Sequence, residues 1–274
     1  MAKKQLATQG ISYALLLIGT VIMLFPFLWM LSTAFKQPTE VYSLSLIPKH
    51  FTWSNVSDIW QKTVFNKWFL NSAVVGVVST LTVAFFDTLA GYILAKFSFR
   101  GKGAIFILIL STLMVPTEML IIPWYLLANG IGWVDNYIGV LFPTVITAFG
   151  IFLMRQFMEL VPQDLLDAAR IDGRGEFGIW FHIVLPQVRG ALVTLSLLTF
   201  LTSWNAYIWP LIVTMTPENY TIPVGLSYFS SETSTASNWV QTMTGAWISV
   251  LPLIVLFLIF QKQIVRGIAL SGIK

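Results

Sequence analysis

Asp164, Asp167, Arg170, Asp172, Arg174 and Glu176 crowd into the one long polar segment of a chain whose flanking stretches are strongly apolar. Mixed carboxylates and guanidiniums at this density suit ion pairing and docking, and such a run does not lie in hydrocarbon. Bond-making chemistry has little to work with. There is no cysteine, and the two histidines, His50 and His182, are far apart with no metal-ligand spacing. No Gly-x-x-x-x-Gly-Lys-Ser/Thr loop occurs, and Gly101-Lys102-Gly103 is only a basic turn, so the chain does not hydrolyse ATP by itself. Asp87 and Glu118 stand inside apolar stretches, where a carboxylate needs a partner or a water-filled path. Ser196, Thr199 and Ser203 share a helical face beside Trp204 and Asn205. Hydroxyls next to aromatic rings suit a sugar, and equally suit packing of one helix on another.

A chain of 274 residues that is 56% hydrophobic and 10% charged, with mean hydropathy +0.77, reads as an integral membrane protein. A soluble domain carries about 25% charge. The net charge of +4 does not indicate nucleic acid, because the Lys and Arg residues are scattered among apolar spans. Without cysteine there is no disulfide framework and no thiolate metal site.

The elements that position these groups are apolar stretches at 11–34, 69–95, 104–124, 137–158, 190–215 and 240–260, each long enough to span a bilayer. The fold class expected is all-α integral membrane protein with six transmembrane helices. The first stretch is too long for a signal-peptide core and reads as an uncleaved helix. Lys96, Arg100, Lys102, Arg155, Arg170, Arg174 and Arg189, together with Lys3, Lys4, Lys262, Arg266 and Lys274, fall on the side of both termini, which makes that side cytoplasmic. Lys36, Lys49, Lys62 and Lys67 are the exception, in a first outer loop long enough to hold a folded piece. There Thr52 or Ser54 can cap a short helix, and Trp53, Trp60 and Trp68 suit either the lipid headgroups or a docked partner. The chain divides into 1–34, a first helix; 35–68, that loop; and 69–274, a five-helix core containing a cytoplasmic loop at 159–189.

Within this frame Gly76, Thr80, Ala84, Asp87 and Gly91 make one face of small side chains on the second span, suited to close helix packing. Leu165, Leu166, Ala168, Ala169 and Ile171 form a short amphipathic helix that ends as Gly173 turns left-handed, and a second short helix runs on to Pro186. Pro26, Pro116, Pro123, Pro143, Pro210 and Pro252 lie in apolar context and predict kinks or breaks.

Asp167-Ala168-Ala169, three residues, Gly173, nine residues, then Ile183-Val184-Leu185-Pro186 resembles the EAA motif, Glu-Ala-Ala-x3-Gly-x9-Ile-x-Leu-Pro, of permease subunits in ATP-binding-cassette importers. Asp replaces only the Glu. A chance match in a chain this long is on the order of one in a hundred thousand. The Trp204-Asn205 pair and the tail from Gln261 are similar to those of carbohydrate-importer permeases. The resemblance implies that Asp167, Ala168, Ala169, Gly173, Ile183, Leu185 and Pro186 form an ATPase-coupling element between helices 4 and 5. It also implies an ABC ATPase dimer that holds the ATP and Mg, a second homologous permease subunit, and an extracytoplasmic substrate-binding protein that meets the loop 216–239. This chain then binds no cofactor, contacts membrane lipid but no nucleic acid, and resides in a bacterial or archaeal cytoplasmic membrane.

Asp87, Ser196, Thr199, Ser203, Trp204 and Asn205 are the expected translocation path. A di- or oligosaccharide is the expected cargo, with glycerol 3-phosphate or its esters as the alternative. An ion-coupled secondary transporter using Asp87 and Glu118 is a more distant reading, disfavoured by six spans with no detectable inverted repeat.

Overall fold

The structure is a computed structural model that describes residues 2–43, 45–231 and 235–271, and only the backbone of 2–8, 11 and 262–271. Every regular element among them is helical. The chain forms two compact units, 1–66 with 225–251, and 67–224 with 252–274.

The first unit begins with α1, Ala2–Ala34, whose apolar side chains from Tyr13 to Leu28 are largely exposed, as on a helix solvated by lipid or another apolar surface. The segment after it is folded. Lys36 is buried with its ammonium over the Trp29 ring, and Asn55 donates to the carbonyls of Ala34 and Lys36. Helix α2, Ser54–Gln61, stands where a cap was expected, but Trp53 is the capping position and makes no side-chain cap; the Thr52 hydroxyl instead accepts from the Ser54 N–H. Phe35 stacks on Phe51 and meets Trp53 and Trp247 edge-on.

The second unit is built along α3, Phe65–Lys96, whose 32 residues span about 48 Å at 1.5 Å each. The stretch expected as one span over 104–124 is instead α4, Lys102–Thr112, and α5, Thr117–Gly130, meeting at 97°. Pro116 caps α5 and cannot continue α4. A milder bend of 44° separates α6, Tyr137–Leu141, and the turn at Pro143 from α7, Ala148–Glu159. The loop that follows carries α8, Gln163–Ile171, and α9, Glu176–Ile179, which runs into a π-helical stretch over Trp180–Val184 and a single turn, α10, at Leu185–Gln187.

An 87° bend leads into α11, Arg189–Trp204. The expected fifth span, 190–215, is therefore interrupted. Asn205 ends α11 by donating its side-chain amide back to the Leu201 carbonyl, and α12, Ile208–Val213, starts afresh with Pro210 in its first turn, where a missing N–H costs little. Helices α13, Ile222–Ser231, and α14, Ala236–Ser271, complete the chain. Pro26, Pro123 and Pro252 lie inside continuous helices, so proline alone does not break a helix here. Among the described residues three helices are long and apolar enough to cross a membrane, and three bent pairs pass the same test together.

Candidate functional site

Helix α8 is amphipathic because Leu166 and Ala169 face the core while Leu165, Asp167 and Ala168 face outward. Leu166, Ile179, Trp180 and Val184 pack with Val83 and Tyr92 of α3, Met154 and Met158 of α7 and Leu195 of α11. Fully buried side chains such as Leu166 and Ile179 each contribute about 2 kcal/mol by leaving water. The loop is thus seated on the ends of three long helices. Gly173 has φ +77° with open space around it, so backbone conformation rather than crowding calls for glycine there. Ile183 and Leu185 pack against the same core, and Pro186 is exposed. Of the two alanines only Ala168 is exposed; Ala169 is buried and belongs to the core.

Charge binds the loop together. Arg170 donates through Nε to Glu176 Oε1 at 2.7 Å and through Nη1 to Asp167 Oδ1 at 2.6 Å, while the Tyr92 hydroxyl donates to Glu176 Oε2 at 2.7 Å. Hydrogen bonding from Arg170 holds the Glu176 carboxyl below its ordinary range against the opposing effect of partial burial, with Tyr92 assisting. Lys96 donates to the Val161 carbonyl at 2.5 Å, and Lys102 to that of Phe97 at 3.0 Å. Arg155 pairs with Glu159 and lies over the Phe106 ring. These cations therefore tie helix ends.

Asp87 is fully buried, and its partner is α7. Its carboxylate accepts from the backbone N–H and hydroxyl of Thr147, and the same hydroxyl accepts from the Gly150 N–H to cap α7. A side chain at Gly150 would fall on the Asp87 carboxylate. The small-residue face of α3 thus meets two helices: Gly76 admits the Phe200 ring of α11, and Gly91 admits the backbone of α7 at Met154 and Arg155. On α11, Ser196 and Thr199 are half-buried and Ser203 is buried. Trp204, also buried, stacks on Phe200 and meets Phe69 edge-on, while Asn205 is exposed. Asp87 and the α11 hydroxyls are not joined, because the hydrogen bonds of Asp87 go to α7. Glu118, in the first turn of α5, is exposed.

At the other end of α3 the loop 214–222 is pinned from beneath. Trp68 donates to the Pro217 carbonyl, Asn71 to those of Glu218 and Tyr220, and Ser72 accepts from the Ile222 N–H. Trp68 is thus buried in a protein contact rather than resting at headgroups. Asp135, at φ +61°, accepts from the N–H groups of Met215 and Thr216. Burial pushes its carboxyl up, but these bonds and the Asn219 and Thr216 side chains outweigh that and hold it below its ordinary range. Sequence reading missed Tyr92, Thr147, Asn71 and the clasp made by Asp135, and it assigned Trp68 to headgroups or a docked partner rather than to the Pro217 carbonyl. A lone tyrosine or asparagine on an apolar helix carries no spacing that marks its partner. The tail resemblance falls largely on 262–274, whose side chains lie outside the described residues.

Comparison with known proteins bears on this arrangement directly. The model of the family "Binding-protein-dependent transport system inner membrane component" matches residues 87–270. The arabinooligosaccharides transport system permease protein AraQ of Bacillus subtilis (strain 168) is 35% identical over 260 residues, covering 93% of this chain and 92% of that protein. The sn-glycerol-3-phosphate transport system permease protein UgpE of Yersinia pestis bv. Antiqua (strain Antiqua) is 32% identical over 264 residues, covering 93% and 94%. In fold, a chain from the crystal structure of a bacterial ABC transporter involved in the import of the acidic polysaccharide alginate matches with TM-score 0.84 at 24% identity, over 93% of this chain and 96% of that one. An all-α membrane fold, a motif loop seated on three helix ends and matches over nearly the whole length place this chain in the family of inner membrane components of binding-protein-dependent transport systems.

Proposed function

We propose that this chain is one permease half of an ATP-driven importer for an oligosaccharide. The observation that carries the reading is α8 itself, which presents Asp167 and Ala168 outward while Leu166 and Ala169 anchor it to α3, α7 and α11. Such a helix accepts force from a docked ATPase and passes it into the bundle. In this reading an ATPase dimer holds ATP and Mg, a homologous permease subunit completes the pore, and a substrate-binding protein delivers cargo at the opposite end, against the pinned loop 214–222. Both termini and the loop 159–189 face the cytoplasm. Asp167, Ala168, Ala169, Gly173, Ile183, Leu185 and Pro186 serve coupling. Ser196, Thr199, Ser203, Trp204 and Asn205 serve the path, and Asp87 supports it structurally. The segments 1–34, 35–68 and 69–274 act as first helix, outer loop and permease core.

A saccharide is favoured over glycerol 3-phosphate because the α11 face offers hydroxyls and aromatic rings with no Lys or Arg beyond Arg189 at its start, whereas a phosphate calls for cations. The relative that transports arabinooligosaccharides and the alginate importer point the same way. Purification of the assembled complex and chemical identification of its bound ligand tests this. An oligosaccharide is expected; a phosphate ester in its place overturns the cargo assignment.

A further inference from the structure

Between α8 and α11 the covalent route is compliant. It passes Gly173 in a left-handed turn, the π-helical stretch at Trp180–Val184 and the 87° bend before Arg189. A π-helical segment and a sharp bend give more readily than a straight α-helix. The route from the same loop to α3 is short and firmly bonded. Tyr92 and Lys96 lie one turn apart, on one face of α3. Lys96 holds the Val161 carbonyl just before α8 begins, and Tyr92 holds Glu176 just after α8 ends. Glu176 also receives Nε and Nη2 of Arg170, at 2.7 and 3.3 Å, and Arg170 reaches back to Asp167 on the exposed face. Both carboxylate oxygens of Glu176 are thereby committed, one shared between the two helices. Farther along, α3 carries Asp87, on which α7 begins.

We propose that Glu176 is a positioning residue that clamps the coupling helix α8 to α3, so that force entering at α8 passes into α3 and through it to α7 as well as into α11. This rests on the reading of α8 as the ATPase-docking helix. Tyr92 lies outside the motif and Glu176 stands at one of its unspecified positions, and Arg170, spent on Glu176 and Asp167, acts within the loop rather than toward the partner.

The test uses the assembled complex with nitroxide labels on Asp172→Cys and Arg100→Cys, both at exposed positions of a chain without native cysteine. One narrow distance is expected, unchanged between nucleotide-free and ATP-trapped states. Glu176→Ala should broaden it and make it nucleotide-dependent, while uptake per ATP hydrolysed falls several-fold. Tyr92→Phe, which keeps the ring in its packed position, should give the same change in smaller degree, and Glu176→Gln should fall between. A distance that already shifts with nucleotide in the unsubstituted clamp, or that stays narrow and constant in Glu176→Ala and Tyr92→Phe, overturns the proposal. Ala168→Asp is the separate control for the docking reading: normal uptake there removes that reading, while the label distance still reports on the clamp.

Discussion

Thr147 donates both its hydroxyl and its backbone N–H to Asp87, at 2.6 and 3.0 Å, so the first turn of α7 is built on a side chain of α3. A carboxylate this deep is costly in hydrocarbon, and here its expense is offset by three roles: acceptor, helix-start support and spacer over Gly150.

Asp87→Asn retains an acceptor oxygen and should lower uptake only mildly. Asp87→Leu leaves the Thr147 donors unpaired and should cost about 2 kcal/mol, read as a lowered thermal midpoint of the purified complex. Gly150→Ala should be at least as damaging, since its methyl group meets the carboxylate. Complete loss of uptake in Asp87→Asn with assembly intact would instead assign the charge a transport role.

At the proposed coupling loop the two alanines should behave oppositely. Ala168→Asp places charge on an exposed face and should leave the protein in the membrane while ATPase stimulation drops about tenfold, the equivalent of 1.4 kcal/mol of docking energy. Ala169 is 6% exposed, so Ala169→Asp should destabilise the loop itself. Gly173→Val, a β-branched residue at φ +77°, should uncouple by distorting the turn. Membrane-inserted protein and ATPase stimulation, measured together, separate these outcomes.

Single cysteines at Ser196 and Thr199 should react with a small hydrophilic thiol reagent and change reactivity when ATP binding is trapped. Ser203→Cys, more deeply buried, should react in one state only. Leu195, 2% exposed, is the internal control; Leu201, at 38%, is not. Unreactive positions in every state would make the hydroxyl stripe a packing surface.

The clasp around Asp135 should be acid-sensitive. Its folded-state pKa lies below the ordinary value, so its stabilisation is complete above the unfolded value, near 4, and is lost as pH falls through the folded one. Protease cleavage within 214–222 should therefore rise in that acidic window, and Asp135→Asn should be cleaved more at neutral pH and lose most of the acid dependence.

Spans, polar loop and motif were legible because hydropathy and fixed spacing encode them locally. Breaks at Pro116 and Asn205 were not, since a proline in apolar context reads alike whether it sits inside a continuous helix, as Pro252 does, or starts a new one. The alanine pair shows a similar limit: adjacent residues on a helix differ by 100°, and only the packing of Leu166 tells which of them faces out. Tyr92 and Glu176 are 84 positions apart, and no local pattern joins them.

The most direct measurement is uptake of a labelled form of the oligosaccharide identified in the purified complex, into vesicles carrying this chain with the proposed partner permease, binding protein and ATPase, with or without ATP and with an ATPase unable to hydrolyse it. Uptake that requires ATP hydrolysis and disappears with the disabled ATPase is expected. Uptake that persists on an ion gradient alone, with the ATPase removed, contradicts the assignment.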